Sequence, residues 1–433
     1  MTGTSVENTH GRVADGQNRR RAPRAFWFFM LGSYVSMVGS RITIIACPLL
    51  ALYVTGSPLA AGVVAFAATV PGIIGYIPAG ALVDRLDPWR TVLLSECGRG
   101  AVVAALALSL IHGRPSMAAL IIAVVAEGVL EVFSTLADQR CIRSIVPPEQ
   151  ASSAQTQLEA RTHMVVLAGR PLGAFLFSLA HALPFVTDSF TFVVSILSII
   201  FLRSKRATPT ATRRTPQQRL TSDIRDGLKL GWHDSYVRAA ITLKFGTTLV
   251  GQALIMVFLA EAHENRLSPA TVGLVLAASG VGGVIGSLIA PRLPGPAKAS
   301  LLLIQMIAWV AAFTFLAAGG AHSPARIAIV MGVMSLTGAL GNIEIGTHLI
   351  RYFNERMLAR MISFQRLAIL SACALGPVIG GMLMQFLRAQ IAVFVLCGIT
   401  VILLMFAIAT PSIIRKAEIS GTYRTGEASS TRN

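Results

Sequence analysis

Charged and turn-forming residues cut this chain into about twelve apolar runs, most of them near the length of about 20 residues that carries an α-helix through a bilayer. Hydrocarbon offers backbone N–H and C=O groups no water to bond. Runs of this kind must therefore satisfy those groups internally, as helices. Their approximate limits are Phe26–Tyr53, Leu59–Val83, Thr91–Ile111, Met117–Ala137, Thr156–Ala180 and Leu183–Leu202 in the first half. The second half holds Arg238–Ala260, Thr271–Ile289, Ala299–Ala318, Ile327–Thr347, Ile362–Phe386 and Ile391–Pro411. Hydrophobic residues make up 54% of the chain and charged residues 13%, with a mean hydropathy of +0.66. A soluble protein carries roughly 25% charged residues. The expectation is an all-α polytopic membrane protein with twelve transmembrane helices, and not an enzyme.

A net charge of +17 could suggest a nucleic-acid partner, but the excess sits in short loops and tails. With the N-terminus inside, the inner segments hold roughly two dozen Lys and Arg, among them Arg203, Lys205, Arg206, Arg213, Arg214 and Arg219. The outer turns hold Arg114, Arg266, Arg326 and Arg388. That asymmetry predicts both termini in the cytoplasm and no nucleic-acid partner. Met1 to Arg24 is polar and ends after the Arg19-Arg20-Arg21 cluster, unlike a secretory signal. The five cysteines (Cys47, Cys97, Cys141, Cys373, Cys397) lack Cys-x-x-Cys spacing and read as small apolar residues, so no metal site is expected.

The predicted organisation is a cytoplasmic tail (1–25), a six-helix bundle (26–202), a cytoplasmic linker (203–237), a second six-helix bundle (238–411) and a tail (412–433). Within the linker, Ser222 to Trp232 places Ile224, Leu228 and Trp232 on one face, as in a helix lying on a membrane surface. The halves repeat. Gly75 and Arg85 recur as Gly282 and Arg292, and Gly169-x-x-x-Gly173 recurs as Gly376-x-x-x-Gly380, all offset by roughly 207 residues. Ser57-Pro58 with Gly62 echoes Ser268-Pro269 with Gly273 a few residues out of phase. Parallel six-helix repeats point to two bundles around a central pathway.

Between the second and third runs lies Gly80-Ala81-Leu82-Val83-Asp84-Arg85-Leu86-Asp87-Pro88-Trp89-Arg90. Gly80 would allow close helix approach. Asp84 and Arg85 would form the turn, and Asp87 would cap a helix starting at Pro88. This stretch resembles the G-x-x-x-D-R loop of the major facilitator superfamily, with Arg90 alone among its downstream basic positions. The resemblance implies a cytoplasmic gate at Gly80, Asp84, Arg85 and Arg90. Gly376-Pro377-Val378-Ile379-Gly380-Gly381 resembles the antiporter motif of drug exporters, and Gly169-Arg170-Pro171 is its repeat-related counterpart. Further stretches, such as Thr55 to Gly62, Val146-Pro147-Pro148-Glu149 and Asp188-Ser189-Phe190, resemble the bacterial drug:proton antiporter branch containing enterobactin and macrolide exporters.

Ionisable side chains inside spans are expensive and mark function. In the superfamily's architecture the first, fourth, seventh and tenth helices line the cavity. Here these carry Arg41, then Glu127 and Glu131, then Lys244, then Asn342 and Glu344. Arg41 and Glu127 fall near mid-span and Glu131 one turn from Glu127, whereas Lys244 and Glu344 lie nearer an end, where snorkelling or an ion pair would explain them. Glu127 is expected to be the protonatable switch, with Glu131 as its partner or replacement. Burial favours its neutral form and Arg41 its charged form. A static Arg41–Glu127 pair tying the first bundle together is the alternative. Arg170 either meets an anionic substrate or pairs with a glutamate of the fourth span. The expected substrate cavity is thus Arg41, Glu127, Arg170, Asn342 and Glu344, and the expected proton-coupling set is Glu127, Glu131 and Arg41. Glu96 with Arg99 and the lone Asp188 read as packing and register. His163 and His348 are the only relay candidates among the histidines.

The sequence holds no His-Glu-x-x-His, no Gly-x-Ser-x-Gly and no phosphate loop. No cofactor is implied, and an ion gradient is the expected energy source. The resemblance implies a monomeric exporter of a drug, antibiotic or siderophore-like metabolite in the bacterial cytoplasmic membrane. It would work by proton antiport and alternating access and could confer antibiotic resistance. A proton-coupled importer with the same fold is the alternative.

Overall fold

The structure is a computed structural model that describes residues 24–83, 85–113, 116–145, 165, 168–204, 235–289, 292–293, 301–319, 323–352 and 355–410. The expected surface helix between Ser222 and Trp232 and the Val146–Glu149 stretch lie outside these residues, as do Asp84 and His163. The helices in order are α1 (Arg24–Thr55), α2 (Pro58–Val83), α3 (Pro88–Ile111), α4 (Met117–Ile145), α5 (described over 168–179) and α6 (Leu183–Ser204). They continue with α7 (Ser235–Glu264), α8 (Pro269–Ile289), α9 (Leu301–Gly319), α10 (Pro324–Tyr352), α11 (Glu355–Phe386) and α12 (Ala389–Ala409). All but α5 are long and apolar enough over the described residues to cross a membrane. Several outrun the apolar limits read from sequence. α11 begins at Glu355 rather than Ile362, because its first two turns are polar and hydropathy does not register a helix continuing past the hydrocarbon.

Starts and stops follow local chemistry. At the head of α3, Asp87 has extended backbone (φ −66°, ψ 118°) and its carboxylate accepts from the N–H groups of Trp89 (2.8 Å) and Arg90 (3.3 Å), with Pro88 in the first turn. Ser57 Oγ accepts from Ala60 N–H (3.3 Å) at the head of α2. Ser268 Oγ accepts from Thr271 N–H (3.3 Å) at the head of α8.

The sequence repeat is a repeat of contacts. Gly169 and Gly173 of α5 lie against Arg41 and Ile42 of α1; Gly376 and Gly380 of α11 lie against Gln252 and Ala253 of α7. Gly62 of α2 meets the Pro377 carbonyl of α11, and Gly273 of α8 meets the Pro171 carbonyl of α5. Within each bundle Gly75 of α2 faces Val132 of α4, and Gly282 of α8 faces Gly332 of α10. A Cβ at most of these glycines would push into a neighbouring backbone, so the crossings need glycine. Gly80 is different. Among the described residues nothing lies within 4 Å of where its Cβ would be. α1 and α7 are the most buried spans, at 67% and 61% of their most apolar windows.

Where the two bundles touch decides the shape. At the end carrying the 56–57 and 265–268 turns, the cores merge. Ile45 of α1 and Ala174 of α5 pack into the cluster built on α7–α12, and Met256 of α7 packs into the one built on α1–α6. Ser57 Oγ also donates to Gln385 Oε1 (2.8 Å) across the bundles there. At the opposite end each bundle has its own core. One is built on Phe29, Trp89, Cys141 and Ile199, the other on Tyr236, Met306, Leu349 and Met361. Among the described residues the buried cores merge at the turn end and stay separate at the end that carries the 84–87 loop, where Arg366 of α11 still reaches across to the Tyr76 ring of α2 at 5.4 Å.

Candidate functional site: a two-sided central cavity

A cavity of about 1070 Å³ lies between the bundles. Its wall reaches Tyr76, Gln139 and Ile142 near the 84–87 end and stops at Val64, Leu106 and Leu259 toward the joined end. Its acidic side chains come from α3 and α4: Glu96, Glu127, Glu131 and Asp138. Its basic ones, apart from Arg99 within the acidic wall, are Arg41 of α1, Arg170 of α5 and Arg366 of α11.

The acidic wall is organised by Arg99. Its Nη2 donates to Glu127 Oε1 at 2.6 Å and to Ser40 Oγ at 2.8 Å, and its Nε donates to Glu127 Oε1 at 3.0 Å. Nη1 donates to Glu96 Oε1 at 3.2 Å, and the guanidinium lies 4.9 Å from the Phe192 ring centre. Glu96 also accepts from Ser36 and Ser134, each at 2.8 Å. One cation therefore serves two carboxylates, and three hydroxyls complete the set. Behind it, fully buried Asp188 of α6 accepts from Thr43 Oγ1 (2.5 Å) and Thr191 Oγ1 (3.1 Å), fixing α1 against α6.

Several expected residues lie where the sequence put them, with different partners. Glu127 pairs with Arg99, not with Arg41. The static Arg41–Glu127 pair is replaced by an α3–α4 bridge, and the Glu96–Arg99 pair assigned to packing is its other half. The signal was present in the sequence, since Arg99 sits eleven residues inside α3, about 16 Å along its axis, as deep as Arg41 lies in α1. Glu131 lines the cavity one turn from Glu127 with no ion pair among the described residues. Arg41 lines it too, likewise without an ion pair among the described residues. Arg170 is not paired with a fourth-helix glutamate; its Nε is buried without a hydrogen-bond partner.

Two expected cavity residues are not in the wall. Glu344 is buried, accepting from Tyr236 Oη at 2.7 Å and from Leu302 N–H at 2.8 Å, so it caps α9 and ties it to α7 and α10. Asn342 is exposed elsewhere on α10. Both miss the cavity because α10 packs along α8 and α9 and turns that face away from the bundle interface. Cavity residues the sequence did not single out include Tyr76, Asp138, Gln252, Arg366 and Cys373. Uncharged side chains carry no depth signal, and Arg366 lies in the polar start of α11. Of the gate residues, Gly80 and Arg85 flank Asp84, which is outside the described residues, and Arg85 is exposed. Arg90 lies 3.8 Å from Asp87, an exposed pair of small energetic weight. The loop is instead held by Arg140 of α4, which donates to the Val83 and Leu86 carbonyls.

Two pseudo-symmetric six-helix bundles enclosing a central cavity define a transporter of the major facilitator fold. Residues 19–347 match the family described as transmembrane secretion effector, and the chain belongs to that family. Similar proteins include the multidrug efflux pump Tap of Mycolicibacterium fortuitum, 28% identical over 281 residues, or 63% of this chain and 67% of that protein. The pump of the same name from Mycobacterium tuberculosis is 25% identical over 281 residues, 63% of this chain and 66% of that protein. The matches thus span about two thirds of the length of these relatives. Among solved structures, the nucleoside transporter NupG has a TM-score of 0.67 at 13% identity, covering 90% of this chain and 99% of that one. A bacterial homologue of the iron transporter ferroportin, in an inward-facing state, has a TM-score of 0.63 at 16% identity, covering 91% and 98%. At these identities the structures show the shared fold alone.

Proposed function

We propose that this chain exports small drug-like molecules across the bacterial cytoplasmic membrane by proton antiport. Its halves, 26–202 and 238–411, rock about the cavity and are linked through 203–237, with the tails 1–25 and 412–433 in the cytoplasm. It works as a monomer without a cofactor. The observation that carries the reading is the shared guanidinium. Arg99 holds Glu96 and Glu127 at once, and only Glu127 reaches the cavity with no hydroxyl in support. Protonating Glu127 costs that carboxylate one partner, Arg99. Protonating Glu96 would disturb Ser36, Ser134 and Arg99 together. Glu127 is therefore the group that loads and unloads a proton, and Arg99 falls back on Glu96 and Ser40 when it does. Glu131 offers its carboxylate to a cationic group of the substrate, and Arg41 biases the pair from across the cavity.

The relatives named multidrug efflux pumps support export, and the separation of the bundles at the 84–87 end supports a cavity loading from the cytoplasm. Gly80, Asp84, Arg85 and Arg90 would latch that end when the cavity faces outward. The test is expression in an efflux-deficient bacterium against an antibiotic panel, with and without a protonophore. The reading expects resistance that collapses with the protonophore and is abolished by Glu127→Gln in protein present at wild-type levels. Resistance unchanged in Glu127→Gln would remove Glu127 from the mechanism. Gradient-driven uptake without resistance would favour import.

A further inference from the structure

We infer that the cavity also holds an oxyanion subsite beside the acidic wall, built from Arg41 of α1 and Arg170 of α5. The substrates it selects would then carry an acidic group (carboxylate, phenolate or phosphate) together with a cationic or protonatable one. The inference rests on the cavity being the substrate path and adds a substrate class to it.

Three observations place the subsite. Arg41 and Arg170 share the α1–α5 crossing, where the Arg41 stem packs on Gly169, and both line the cavity. Among the described residues neither has an ion-pair partner, although four acidic side chains stand in the same cavity. The Arg170 Nε is fully enclosed with no acceptor, which in a native interior calls for an explanation such as an absent ligand. Cys373 of α11 marks the spot. It lies in the cavity wall with Arg41 and Arg170, and its Sγ accepts from Gln252 Nε2 at 3.7 Å. Burying like charges together without a counterion is costly, and removing one partner of a buried pair leaves the other uncompensated. A cluster kept in this arrangement is completed by an anion that arrives and leaves. Guanidinium groups suit an oxyanion because they donate in a planar fork. The acidic wall on α3 and α4 takes the opposite end of the molecule, so the two walls read charge separation within one substrate.

Cys373 allows a test that does not depend on transport. In purified full-length protein retaining only this cysteine, we expect the anionic reagent MTSES to react faster than the cationic reagent MTSET. Relative to the same pair on free cysteine, the preference should be about tenfold or more, as expected for nearby unit charges at protein-like dielectric. Arg41→Gln and Arg170→Gln should each lower it several-fold, and Arg170→Lys should keep most of it. Sodium salicylate, a ring with one carboxylate, should slow the MTSES reaction of the parent and not of Arg41→Gln/Arg170→Gln. If Arg170→Gln does not fold, Arg41→Gln gives the same readout. No preference for MTSES, or a salicylate effect that survives the double substitution, would overturn the subsite. Failure of proton-driven export would leave these rates unchanged, so the two readings fail separately.

Discussion

Arg99 carries one positive charge between two carboxylates, and what its removal would do follows from that imbalance. Replacing it with Met would leave Glu96 and Glu127 near each other with their shared cation gone. The expected loss is about 3–5 kcal/mol of stability unless one of them takes up a proton. Thermal unfolding in detergent should therefore show a large drop for Arg99→Met, partly recovered by adding Glu127→Gln. Equal drops in the single and double variants would mean the two are not coupled. Glu344 is the opposite case, a buried carboxylate committed to structure. Glu344→Leu removes the acceptor of the Tyr236 hydroxyl and Leu302 N–H bonds and should cost about 1–3 kcal/mol. In whatever protein folds, the transport profile should be unaltered. A changed substrate profile at unchanged stability would return Glu344 to the cavity. Depth along a helix was readable from the sequence, and the two side chains it singled out, Glu127 and Arg41, line the cavity. Partner choice was not, because which of two equally deep cations meets a carboxylate depends on helix rotation, and no local pattern encodes that.

At the scale of helices, glycine did more to declare the architecture than the charges did. The Gly169/Gly173 and Gly376/Gly380 pairs each seat a helix on the first helix of their own bundle, and Gly62 and Gly273 each seat one on a proline carbonyl of the other. These crossings were legible as a repeat before any coordinates, since small residues at fixed offsets have few other uses in an apolar run. Gly80 was misleading for the same reason, being a motif glycine with no close neighbour in this conformation. The faces of α10 were illegible. Asn342 and Glu344 are polar in an apolar helix, and polarity alone does not say whether a side chain meets a cavity or a neighbouring helix end. Gly381 tests the joined end, because any Cβ there strikes the Pro58 carbonyl and the Leu59 backbone. Gly381→Leu should force α2 and α11 apart at the turn end. In sealed vesicles, Cys373 should then become reactive toward a membrane-impermeant reagent added on the 56–57 side, and wild type should stay protected. Equal protection in both would show that the Gly381 contact does not close that end.

For the molecule as a whole, an unequal pair of ends is what alternating access requires of a single captured state. Among the described residues, cores that merge at one end and stay separate at the other leave the two ends unequal. Reversing that asymmetry needs only a modest rotation of packed bundles. Under the proposed antiport, the energy to bias it would come from a proton on Glu127, which would leave Arg99 to Glu96 alone. The most direct measurement is ethidium movement by the purified protein in proteoliposomes under an imposed pH gradient. The account predicts that ethidium moves against the proton flux, that its movement acidifies the compartment it leaves, and that Glu127→Gln abolishes both. Ethidium moving with the protons, or moving equally with and without the gradient in wild type and Glu127→Gln alike, would contradict it.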